Sequence, residues 1–103
     1  MHTLPFGAVF TESLIEKLRD LAKRCVTKEP DSLPSVTWVT VQKFPEEPAD
    51  CWGLVAFSRT YMQSTDIFTV DGVVFHISGA DQARASGHAL AWRDGTGIVE
   101  INT

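Results

Sequence analysis

Leu14, Ile15, Leu18, Leu21, Ala22 and Cys25 recur at the spacing of one face of a helix. Glu16, Lys17, Arg19, Asp20, Lys23 and Arg24 fill the remaining surface. The pattern predicts an amphipathic helix over residues 11–27 that lays one stripe against another element. Thr11 or Ser13 suits the N-cap, and Ser13 with Glu16 three residues on forms a capping-box pattern. Pro30 and Pro34 mark the exit. Residues 1–10 are mostly apolar, contain Pro5 and Gly7, and read as an arm that ends in a short strand.

Beyond Pro34 the period changes. Residues 35–44 are rich in β-branched and aromatic side chains, as a strand requires. Residues 45–50, with two prolines and three acids, break it. Residues 51–58 form a continuous apolar run suited to a central strand, and residues 59–65 a polar connection. Two Asp-Gly pairs, Asp71-Gly72 and Asp94-Gly95, then sit between strand-like runs and predict two-residue hairpin turns.

Turn length sets register, and register sets faces. With Val70 opposite Val73, one face of the first hairpin carries Phe68, Val70, Val73, Phe75 and Ile77; the other carries Ile67, Thr69, Val74 and His76. With Arg93 opposite Thr96, the core face of the second carries His88, Leu90, Trp92, Val99 and Ile101. Between the hairpins, residues 79–87 are small and bounded by Gly79 and Gly87, which fits a loop or one helical turn.

The expectation is a single α+β domain over residues 1–103: an N-terminal amphipathic helix packed on a four- to six-stranded, mostly antiparallel sheet occupying residues 35–102. One helix covers one face of such a sheet. The semi-apolar back face and exposed edge strands therefore point to self-association, as a homodimer, or to another protein.

Composition narrows the classes. The 44% apolar and 21% charged residues are those of a globular chain, which excludes disordered and fibrous types. Net charge is −4, and it is placed unevenly: residues 1–30 carry five basic and four acidic side chains, residues 31–103 four basic and nine acidic. An acidic body repels phosphate backbones, so nucleic acid is disfavoured. Cys25 and Cys51 match no metal spacing, no secretory leader pattern opens the chain, and no apolar run approaches the ~20 residues of a membrane span. The expectation is a cytoplasmic protein with reduced thiols and no membrane segment.

Motifs that carry chemistry are sparse. His2, His76 and His88 have no carboxylate or cysteine at ligand spacing, so no metal or cofactor is expected. A Gly-x-Ser-x-Gly elbow, a Walker loop and a dinucleotide fingerprint are all absent from the sequence. Asp81 and Arg84, in the small-residue stretch, are candidate ligand contacts. Trp38, Trp52 and Trp92 sit in predicted strands, where core packing competes with a role as pocket walls, and His76 joins them as a candidate binding residue. No residue is assigned a catalytic role.

Three function classes follow. The first is a small non-catalytic binding or adaptor protein acting through a protein–protein face. The second is a small-ligand-binding domain with an aromatic-lined pocket. The third is an enzyme whose polar groups meet only in the fold, drawn from His76, Asp81, Arg84 and Tyr61.

Overall fold

Thr11 is the N-cap of helix α1 (Glu12–Lys28), within a residue of the predicted span. The computed structural model describes residues 1–40 and 50–101; the predicted break at 45–50, apart from Asp50, and the end of the 35–44 strand lie outside them. Leu14, Ile15, Leu18 and Cys25 of the stripe are buried, while its Leu21 and Ala22 are half-buried. Ser13 does not cap the helix. Its hydroxyl accepts the Trp92 backbone N–H at 3.1 Å, fastening the first turn of α1 to a strand from the far end of the chain.

Among the described residues eight strands accompany it. Strands β1 (His2–Thr3) and β2 (Val9–Phe10) form a small hairpin from the N-terminal arm. Strands β3 (Ser32–Val39) and β4 (Cys51–Ser58) pair antiparallel. Strands β5 (Ile67–Val70) and β6 (Val73–His76) form the first predicted hairpin, and β7 (Ala89–Arg93) and β8 (Gly97–Ile101) the second. A short helix α2 (Gly79–Ala85) joins the hairpins.

The fold class is α+β. The strands divide into two four-stranded sheets, ordered β1-β2-β7-β8 and β4-β3-β6-β5. Both sheets are mixed rather than mostly antiparallel, because β2 runs parallel to β7 and β3 parallel to β6. The chain path differs between them: the first sheet joins the hairpin β1–β2 from before α1 to the hairpin β7–β8 from after α2, whereas all four strands of the second lie between the two helices. Helix α1 packs against both sheets. Leu14, Ile15 and Leu18 join Phe10, Val36, Phe75, Ile77 and Leu90 in one core.

The two Asp-Gly turns fold differently. Asp71 and Gly72 both take positive φ, 53° and 79°, as a type I′ turn requires, and Val70 pairs with Val73 as predicted. In the second hairpin Arg93 pairs with Gly97, not Thr96. Gly95 and Gly97 take φ of 84° and 100°, so three residues form the loop. That one-residue slip moves β8 across faces. Ile98 and Glu100, not Val99 and Ile101, share a side with Leu90 and Trp92, and Ile98 is buried there.

Candidate functional site

Alternation along the second sheet assigns each residue to one of two faces. Val36, Trp38, Trp52, Leu54, Phe68, Val70, Val73 and Phe75 look toward α1 and the core. Ser35, Thr37, Val55, Phe57 and His76 lie on the opposite face, since Ser35 pairs with Val55 on one side and with His76 on the other. Two 3₁₀ turns, Arg59–Tyr61 and Ser64–Asp66, and the start of α2 partly cover this back face. They leave a hollow of about 480 Å³ between them.

Its floor is polar and buried. Ser35 Oγ and His76 Nδ1 are 2.8 Å apart, a hydrogen bond between side chains that are 3% and 7% exposed as residues. Burial pushes the His76 pKa below its ordinary value, against an opposing pull from Asp66 and Asp81. The imidazole is therefore neutral at pH 7 and keeps one donor and one acceptor nitrogen. Phe57 stacks on it, with centroids 5.6 Å apart and planes 10° from parallel. Tyr61 meets Phe57 edge-on at 6.1 Å.

The rim is acidic. Asp66 Oδ1 accepts from Gln82 Nε2 at 2.9 Å, and Asp81 Oδ2 accepts from the Ser78 hydroxyl at 3.0 Å. Ser78 is also the N-cap of α2, with its Oγ accepting the Asp81 N–H at 3.4 Å. The described residues lining the hollow include Asp66 and Asp81 but neither lysine nor arginine. A negative charge entering it would meet two carboxylates and no counter-ion among them.

Catalysis by a hydroxyl, imidazole and carboxylate relay needs the acid bonded to the ring nitrogen that the hydroxyl leaves free. Here Ser35 takes Nδ1, and neither Asp66 nor Asp81 has a hydrogen bond to His76.

Of the residues singled out from sequence, His76, Asp81 and Tyr61 line the hollow together. Arg84 does not; its guanidinium lies over the Trp38 ring, 4.5 Å from the centroid. The tryptophans also point elsewhere. Trp38 and Trp52 meet edge-to-face at 5.3 Å beside the core, and Trp92 lies under Lys17 and bonds Asp94. Ser35, Phe57 and Asp66 were not singled out from sequence. Alternation within β4 groups Val55 with Phe57, but no local pattern sets the register of β3 on β4 or pairs β3 with β6.

A second groove of about 350 Å³ runs along α1, lined by Arg19, Lys23, Cys25, Val26, Arg59 and Val73 among others. Burial, then Glu29, push the Cys25 thiol up, outweighing Arg24. The thiol stays neutral, and the groove holds no buried polar pair comparable to Ser35–His76. Among the described residues no helix is long and apolar enough to cross a membrane. No protein-family model, curated protein or solved structure matches this chain.

Proposed function

We propose that the protein binds a small organic molecule in the hollow over Ser35 and His76, one with an apolar or planar body and a positively charged or donor-rich end. One observation carries the reading. Among the described residues the exposed large apolar side chains are Met1, Val26, Val55, Phe57 and Tyr61, and three of these five line this hollow above a buried polar floor. Apolar walls with a few convergent polar groups are the usual form of a ligand site. Phe57 and Tyr61 offer faces to a cation, and Asp66 and Asp81 offer charge.

Benzylamine and benzoate, alike in size and opposite in charge, test the charge preference by calorimetric titration. Benzylamine should bind more tightly, and Asp81→Asn should narrow the difference. Equal affinities, or tighter benzoate, would refute it.

A second reading rests on the strand that carries two of the same side chains, Val55 and Phe57. Strand β4 is the outer strand of its sheet, and Val55, Ala56 and Phe57 on it are exposed. An apolar edge strand suits pairing with a second copy or another protein. Sedimentation across a concentration series separates the two readings. A dimer lost on Val55→Lys supports the edge, and a monomer at all concentrations removes the homodimer.

A further inference from the structure

Apart from the hollow, the N-terminal strand, the first turn of α1 and the β5–β6 turn bring His2, Glu12 and Asp71 together. One imidazole nitrogen and two carboxylates lie with their ligand atoms all within 4.8 Å of one another. No sequence spacing announces the group, since its members are ten and more residues apart and come from three elements.

Two details separate this trio from an ordinary surface ion pair. His2 Nε2 sits 2.8 Å from Glu12 Oε1, yet it is a buried atom with no hydrogen-bond partner among the described residues. The two atoms are close, but not oriented so that an N–H points at the carboxylate. Close donors without a shared proton are what two ligands of one ion look like. Atoms about 2.0–2.1 Å from a zinc-sized ion, at neighbouring coordination positions, stand roughly 2.9–3.4 Å apart.

Asp71 is held in place on its own account. Its backbone is fixed in the type I′ turn, and Arg19 Nη2 reaches both its carbonyl oxygen at 3.2 Å and its Oδ2 at 3.1 Å. Glu12 Oε1 also lies 3.3 Å from the Met1 amine. That contact and the Arg19 contact are the positive charges an arriving cation would have to displace or share.

We propose that His2, Glu12 and Asp71 form a binding site for a divalent first-row transition ion such as Zn²⁺ or Co²⁺. One imidazole and two carboxylates suit this borderline class better than Ca²⁺ or Mg²⁺, which take oxygen ligands. Glu12 and Asp71 are exposed, so the remaining coordination positions face water. The ion would tie the N-terminal hairpin to the β5–β6 turn. The proposal is independent of the hollow over His76.

Untagged protein titrated with Co²⁺ alone, followed by ¹H–¹⁵N NMR, tests it. The expected result is uptake of one equivalent, with paramagnetic shifts centred on the amides of Thr3, Ser13 and Gly72, reversed by Zn²⁺. His2→Ala should abolish uptake. Asp71→Asn should weaken it roughly tenfold or more, the effect of losing an ion contact worth about 1.4 kcal/mol. Asparagine accepts positive φ readily, so the turn and the melting temperature should be retained. Lys28→Ala, at the other end of α1, should leave uptake unchanged. Absence of one-equivalent uptake overturns the proposal. So does uptake indifferent to Asp71→Asn, which would place the ion on the first two residues alone.

Discussion

The two faces of the sheet β4-β3-β6-β5 are made by alternate residues of the same strands, and they do different work. The inner face is apolar: Val36, Trp52, Leu54, Val73 and Phe75 pack with α1, and the Trp52 indole N–H is satisfied by Glu100 Oε1 at 3.0 Å. The outer face puts a serine and a histidine side by side on neighbouring parallel strands and surrounds them with Val55, Phe57 and Tyr61. A buried polar pair adds little stability beyond the cost of its own desolvation. Exposed aromatic side chains add little too. The inner face thus holds the fold, and the ligand site we propose falls on the outer one.

The largest expected effect that separates the faces comes from paired truncations. Phe75→Ala, fully buried on the inner face, should cost about 3–5 kcal/mol in urea unfolding. Phe57→Ala, 38% exposed on the outer face, should cost roughly 1 kcal/mol or less, yet remove benzylamine binding. Similar costs at the two positions would erase the distinction between the faces.

A smaller effect probes the floor. Ser35→Val leaves His76 Nδ1 buried without its hydroxyl partner, at a cost of about 1–3 kcal/mol. Ser35→Val with His76→Phe removes both polar partners and should recover most of that loss. A double variant as destabilised as the sum of the singles would mean that the hydrogen bond contributes no coupling.

The smallest effect is a slope against pH. His76 has its folded-state pKa pushed below the ordinary 6.5, so the unfolded chain takes up its proton first on acidification. The contribution is fully present above pH 6.5 and is lost as pH falls through the lowered folded value. The difference in stability between wild type and His76→Phe should therefore shrink or change sign below that window and be flat above it. A difference that is flat throughout would mean that His76 titrates as in solvent.

The same contrast explains how much was legible from the chain. Helix α1 and the β5–β6 hairpin are local, written in a 3.6-residue stripe and in an Asp-Gly turn with positive φ at both residues. The second Asp-Gly pair misleads, because Gly97 allows a three-residue loop and shifts β8 by one position. Helix α2 carried a readable start, Ser78 followed three residues on by Asp81, masked by the flanking glycines. The division into two sheets rests on parallel pairings between distant segments, β2 with β7 and β3 with β6, which no local pattern encodes. The candidate site inherits that limit. His76, Asp81 and Tyr61 could be picked out singly, whereas Ser35 becomes significant only once β3 lies beside β6.

The most direct test of the central claim is where a bound ligand sits. In ¹H–¹⁵N spectra, benzylamine should shift the amides of Ser35, Thr37, Phe57, His76 and Asp81 in a saturable way and leave those of Arg19, Val26 and Val73 unmoved. Shifts confined to the groove along α1, or none at concentrations where other small aromatic amines saturate ordinary pockets, would contradict the assignment of the outer face as the ligand site.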